Sequence, residues 1–249
     1  MTELDLIIDL HKRAERQGPG SQRDTLRALS FLDFPPDKEI AVADLGCGTG
    51  GQTLTLAREL NARITAVDLF PEFLEILRER AAAAGLKDFI YPLQASMEEL
   101  PFEEEQFDLI WSEGAIYNVG FERGIQEWKA YLKPGSYLAV SEITWITDHR
   151  PDEVEAFWNR EYPEISPASR KIKQLESNGY TLVGYFYLSP DSWLDQYYRP
   201  LRTGFPAFLA RHEQSEAAQK VVEDHRAEIE FYEQYRDYYS YGFYVARKN

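Results

Sequence analysis

One run of nine residues, Asp44-Leu45-Gly46-Cys47-Gly48-Thr49-Gly50-Gly51-Gln52, constrains this chain more than any other. It follows a short apolar stretch, Ile40-Ala41-Val42-Ala43, and precedes Thr53-Leu54-Thr55-Leu56-Ala57-Arg58-Glu59-Leu60, which reads as a helix. A strand therefore ends in a glycine turn that opens a helix. Glycine permits positive backbone angles and close approach of a ligand to the main chain. Free N–H groups at a helix start can meet an anionic or oxygen-rich group. Asp44 adds a carboxylate facing the same crevice. A second apolar run, Ile64-Thr65-Ala66-Val67, ends in Asp68. An acid there, roughly 20 residues past the glycines, is the usual clamp on ribose hydroxyls. Gly46, Gly48 and Gly51 also satisfy G-x-G-x-x-G, which keeps a dinucleotide reading open. Against it, Asp44 would repel a pyrophosphate but welcome an ammonium group.

Around this unit the pattern alternates. Strands are expected near 40–45, 63–68, 89–95, 107–112 and 136–144, and helices near 51–61, 71–84 and 121–132. Such alternation implies a parallel sheet covered on both faces, with ligands beyond the carboxyl ends of its strands. Two helices, 3–17 and 21–32, precede it, with Ser21 as an N-cap and Pro35-Pro36 as a spacer. Beyond residue 145, helices are expected over 151–162 and from Ser166-Pro167 to Asn178-Gly179, and a strand over 180–188. Residues 190–240 read as mostly helical, ended by Gly242 and followed by a last strand at 243–246.

The segment Asp-Leu-Gly-Cys-Gly-Thr-Gly at 44–50 resembles motif I of the class I S-adenosylmethionine-dependent methyltransferases. The resemblance continues through Val67-Asp68-Leu69, Leu100-Pro101-Phe102 with Phe107-Asp108-Leu109-Ile110, and Leu132-Lys133-Pro134-Gly135. It implies an α/β fold: a doubly wound, mostly parallel seven-stranded sheet with an antiparallel last strand and a helical lid. The whole of 1–249 is then one methyltransferase domain, with an N-terminal helical cap at 1–34 and lid insertions at about 146–165 and 190–240.

The same resemblance places the cofactor, S-adenosylmethionine, on Asp44, Gly46, Gly48, Gly50, Asp68, Leu69, Ser96, Met97 and Glu113. Ser96 stands where the family often has an acid that contacts the adenine amino group. Glu113-Gly114-Ala115-Ile116-Tyr117-Asn118 stands where the methionine end and the reaction centre lie. It is not the Asn/Asp-Pro-Pro-Tyr/Phe motif of nucleic-acid amino-methyltransferases. Glu113 and Glu142 are the candidates for catalysis as general bases, and Glu142 is an unusual acid within an apolar strand. Tyr117, Trp145 and Tyr197 are candidates for substrate contact, and Gln17-Gly18-Pro19-Gly20-Ser21 for a cover over the cofactor.

Composition narrows the partners. The formal charge of −15 argues against nucleic acid or an anionic membrane, which need clustered Lys and Arg. The N-terminus lacks a signal-peptide pattern, and no apolar run reaches the length of a membrane span. The one cysteine, Cys47, fits a reducing cytoplasm. The four histidines, His11, His149, His212 and His225, lack metal-ligand spacing, so no metal is expected. The expected activity is methyl transfer to a small molecule by in-line displacement. An NAD-dependent oxidoreductase and a non-catalytic cofactor-binding module stand as alternatives. Oligomeric state is not legible.

Overall fold

The computed structural model describes residues 2–35 and 37–249; Met1 and Pro36, half of the expected spacer, lie outside the described residues. Strands β1 (Ile40–Leu45), β2 (Ala62–Asp68), β3 (Ile90–Gln94), β4 (Phe107–Glu113) and β5 (Leu132–Trp145) pair in parallel. Helices α3 (Gly51–Glu59), α4 (Pro71–Ala83) and α5 (Phe121–Glu127) lie between them in sequence. The sheet order is β3-β2-β1-β4-β5-β8-β7, with β7 (Tyr180–Tyr187) and β8 (Tyr239–Lys248) at the far edge. β8 runs antiparallel to both its neighbours. A two-residue strand, β6 (Ser166–Pro167), pairs with the end of β5, so the sheet has eight strands where seven were expected.

Register sets the site. Leu45 lies opposite Val67, Asp44 opposite Trp111, Asp68 opposite Gln94 and Glu113 opposite Ser141. The carboxyl ends of four strands therefore finish at one edge, and the loops leaving them share one crevice.

Apolar residues fill both faces. Ile40, Val42, Ile64, Leu109 and Trp111 pack with Leu56, Leu74 and Leu77 on one side. Ala43, Leu45, Ile110 and Leu138 pack with Phe121, Ile125 and Leu175 on the other. Each fully buried large apolar side chain contributes about 1.5–3 kcal/mol. A third cluster covers the carboxyl end of β5. There Ile143 and Trp145 meet α1 (Glu3–His11), α6 (Asp152–Glu161) and the helices between β7 and β8: α8 (Pro190–Trp193), α9 (Arg199–Arg211) and α10 (Glu216–Tyr235). The indole of Trp193 stacks on Tyr232 at 4.4 Å, at the centre of an aromatic layer.

Three expectations are corrected. The first helix stops at His11 rather than 17, because the backbone carbonyls of Ala14 and Glu15 accept bonds from Thr49 and Arg80 instead. The second, α2 (Gln22–Leu29), keeps its Ser21 cap but ends three residues early. Gly242 does not end a helix: α10 ends at Tyr235, and Gly242 lies within β8, opposite Glu142. A Cβ there would meet Tyr244 Oη at 2.8 Å and Thr144 Oγ1 at 2.9 Å, so close packing explains this glycine. Among the described residues, no helix is long and apolar enough to cross a membrane.

Candidate active site at the strand ends

The turn after β1 is built by conformation and by lack of room. Gly46 and Gly48 have φ of 72° and 55°. A Cβ on Gly46 would fall 2.3 Å from Ala115 Cβ, and one on Gly48 2.1 Å from Gln17 Oε1. The amides of residues 46–50 are all engaged inside the chain. Gly46 and Cys47 both donate to Val67 O at 2.9 Å, and Gly50 donates to Cys47 O at 3.0 Å. Gly48 donates to Asp68 Oδ2 at 2.8 Å, and Thr49 to Gln17 Oε1 at 2.8 Å. β2 and the N-terminal segment bring acceptors to these turn amides. A pyrophosphate, which is bound through such donors, meets none free among these five.

Two carboxylates flank the turn in different states. Asp44 is fully buried and lies outside the cavity lining. It accepts from Thr53 Oγ1 at 2.5 Å and Gln52 Nε2 at 3.3 Å, and burial pushes its pKa up to about 7. Asp68 is 8% exposed and lines the cavity. Its Oδ1 accepts from Phe70 N–H at 3.0 Å, opposite the Gly48 contact. Burial raises its pKa while the backbone donors lower it. Gly50, whose Cβ position is filled by Leu77, also lies outside the lining.

The segment between α1 and α2 lies over this turn. Thr49 Oγ1 reaches the carbonyls of Ala14 and Glu15 and accepts from Gln17 Nε2 and Arg80 Nη1. Arg80 also donates to the Ala14, Glu15 and Thr49 carbonyls. Arg16 donates to Glu113 Oε2 at 2.5 Å and to Thr25 Oγ1 at 2.9 Å. The other Glu113 oxygen accepts from Thr25 Oγ1 and Trp111 Nε1. The Glu113 carboxylate is thus occupied in holding the N-terminal segment, with its side chain only 4% exposed. Gly20 N–H donates to Ser192 O, which ties the same segment to α8.

Together these elements enclose a cavity of about 380 Å³. Of the expected cofactor residues, Gly46, Gly48, Asp68, Leu69, Ser96, Met97 and Glu113 line it. Arg16, Gln17, Gly18 and Pro19 do as well, so the 17–21 cover meets the cavity. Ser96 Oγ accepts from Glu98 N–H at 3.2 Å. Of the expected substrate residues, Tyr117 lines the cavity and is 44% exposed. Trp145 and Tyr197 are buried outside it: Trp145 packs on Tyr239, and Tyr197 stacks on His11.

Glu142 is not in the cavity. It faces the α7 (Ala168–Ser177) side of the sheet, fully buried, with Lys171 Nζ 3.3 Å from Oε1 and no partner for Oε2. Burial drives the carboxyl pKa up and the ammonium pKa down, so both groups are pushed toward their neutral forms.

Sequence reasoning missed Arg16, Thr49 and Arg80 as a clasp, and also His11, His225 and Glu228. His11 and His225 lie 2.9 Å apart, although 214 residues separate them. Thr49 lies in the glycine motif, but its clasping role does not show there; no local motif marks the others, because each acts through a partner distant in sequence.

Residues 42–135 match the family model described as a methyltransferase domain. The chain is 31% identical over 54% of its length to the glycine/sarcosine/dimethylglycine N-methyltransferase of Actinopolyspora halophila, covering 24% of that protein. It is 33% identical over 61% of its length to a probable phthiotriol/phenolphthiotriol dimycocerosates methyltransferase 2 of Mycobacterium ulcerans, covering 55% of it. The chain thus spans about a quarter to half of these relatives. Its fold matches that of an S-adenosylmethionine-dependent methyltransferase from Thiobacillus denitrificans solved with S-adenosylhomocysteine, with a TM-score of 0.82 and 21% identity, covering 100% of this chain and 99% of that one. With the motifs in order along the strand ends, residues 42–135 carry a methyltransferase domain, and the chain is similar to class I S-adenosylmethionine-dependent methyltransferases.

Proposed function

We propose that this protein transfers the methyl group of S-adenosylmethionine to a small-molecule acceptor. The observation that carries the reading is the 46–50 turn, whose amides are engaged and whose partner carboxylate, Asp68, lines the cavity. Such a turn suits a ligand with sugar hydroxyls rather than one with a pyrophosphate.

The residues fit this cofactor. Each Asp68 oxygen accepts one backbone N–H and keeps lone-pair capacity for a ribose hydroxyl. Leu69 with Ala95, Ser96 and Met97 offers a largely apolar slot for a purine. Arg16, with two of its five donors engaged, has others for the α-carboxylate. When bound, the cofactor supplies an electrophilic methyl carbon on a sulfonium.

The chain then needs to align the acceptor and exclude water. The strap of residues 14–17 covers the turn, held by Thr49 and Arg80. Tyr117 and Asn118 wall the cavity beyond Glu113. Neither Glu113 nor Glu142 is kept as a general base, since the first holds Arg16 and the second is paired with Lys171 away from the cavity. We read 1–249 as a single domain working in the cytoplasm. The relatives' names carry acceptors as different as glycine and phthiotriol, so the acceptor class must come from this chain's own residues.

A thermal-shift comparison tests the reading. S-adenosylmethionine and S-adenosylhomocysteine raise the melting temperature, and NADH and NADPH do not. A shift with the nicotinamides alone overturns it.

A further inference from the structure

Helix α10 carries an inward stripe, Val221, His225, Glu228, Tyr232 and Tyr235, spaced by three and four residues. Val221, Tyr232 and Tyr235 are buried, yet Glu228 on the same face is exposed. An inward-facing carboxylate with accessible surface faces solvent space beneath the helix. Its Oε1 accepts from Tyr198 Oη at 2.9 Å, and Tyr198 is only 2% exposed.

Tyr241, packed against the cluster that holds Tyr197, Tyr198 and Tyr232, ties this face to the cavity already described. Tyr117 lines that cavity, and Tyr241 Cε2 lies 3.2 Å from the position of a Cβ on Gly114, another lining residue. Glu228 acts on the phenols of Tyr117, Tyr197 and Tyr241, raising each beyond the effect of burial. Glu142 acts on Tyr117 and Tyr241 in the same direction. Its cation, Lys171, is already matched to it. Glu228 is therefore the acid of this face, since Glu142 is held by Lys171.

A second, independent observation concerns His11, whose ring stacks on Tyr197. His225 Nδ1 lies 2.7 Å from Val221 O, so that nitrogen carries the proton. Its Nε2 then accepts from His11 Nε2, which leaves His11 Nδ1 as a bare acceptor. Among the described residues that atom has no partner, and the residue is 93% buried, with 7% of its surface exposed. The wall thus offers a carboxylate oxygen, an unused imidazole nitrogen and tyrosine rings, a set that suits a group carrying positive charge.

We propose that this chamber binds a cationic nitrogen group of the methyl acceptor, with Glu228 as its counter-ion and Tyr117, Tyr197 and Tyr241 as its aromatic walls. The inference rests on the methyltransferase reading for what the bound group is, and on the chamber alone for its charge.

The test uses the full chain, with and without S-adenosylhomocysteine, and two probes of one shape: choline and its neutral carbon isostere 3,3-dimethylbutan-1-ol. Calorimetry should show choline binding about tenfold tighter than the isostere. Glu228→Gln keeps an acceptor for Tyr198 and should bring the two probes to near equality without changing S-adenosylhomocysteine affinity. The Tyr241→Leu variant, which leaves the charge in place, should keep the preference but weaken it. Equal binding of the probes by the unmodified protein, binding of neither, or an undiminished preference in Glu228→Gln overturns the proposal. Failure of S-adenosylhomocysteine to bind while choline is still preferred would instead sink the methyltransferase reading and leave the chamber assignment standing.

Discussion

The floor of the cavity and the helical layer over the end of β5, the roof of the molecule there, are held by different forces. The floor, at the ends of β1, β2 and β4, is a closed set of directional bonds: five consecutive amides, two aspartates and the Arg16–Glu113 pair. The roof, formed by α8–α10 with α1, is an apolar and aromatic layer in which Trp193, Tyr197, Tyr198, Phe205, Phe208 and Tyr232 are all buried. Directional bonds fix atoms to a geometry, whereas ring packing fixes a volume. A floor of the first kind suits one invariant cofactor. A roof of the second kind suits an acceptor whose shape is set by which rings surround it.

Substitutions that separate the two should break or sharpen this contrast. The largest effect belongs to the roof. Trp193→Ala removes the ring stacked on Tyr232 and should lower unfolding stability by about 3–5 kcal/mol in denaturant titrations. Cofactor affinity in the fraction that remains folded should be nearly unchanged; an equal loss in both would merge the two regions. Next comes Asp68→Ala, which removes two charge-assisted contacts. S-adenosylhomocysteine affinity should fall by about 2–4 kcal/mol in calorimetry. An unchanged affinity would remove Asp68 from the sugar site.

Asp44 comes third, through pH. Its folded pKa of about 7 lies above the ordinary 3.8, so between these values the folded chain holds a proton that the unfolded chain has released. Its contribution is therefore present at low pH and lost as pH rises through about 7. The slope is at most about 1.4 kcal/mol per pH unit. Burial acts oppositely on His11, depressing its pKa from 6.5 to about 3, so its contribution grows with pH over that window. Asp44→Asn should remove the first slope and expose the second in melting curves from pH 4 to 7. Thr49→Val gives the smallest effect. It takes away the hydroxyl that joins the strap to the turn and should raise KM for S-adenosylmethionine about fivefold, the equivalent of one hydrogen bond.

The same contrast explains what could be read from the chain. The turn, Asp68 and the strand–helix alternation were legible because each depends on neighbours within a few residues. Glycine conformations and apolar runs are local properties. Arg16 was not legible, because Glu113 stands 97 positions away and only the folded strand ends bring them together. Glu142 misled for the opposite reason. An acid in a strand does signal a special environment, but the sequence could not say which face it takes, and it faces Lys171 rather than the crevice. Glu228 sat unnoticed among charged residues of α10, since a carboxylate on a helix usually marks its solvent side. The α1 boundary failed because tertiary acceptors and donors at Thr49 and Arg80 outbid a helical continuation that local propensity alone allowed.

The amide pattern of residues 46–50 has one more consequence. A loop whose N–H groups already have partners needs no guest to organise it. Ligand arrival then carries little ordering entropy at this loop, and hydrogen exchange at these positions should be slow in the empty protein and nearly as slow when it is saturated. What the ligand rigidifies would be read elsewhere, in the strap and the aromatic layer above it.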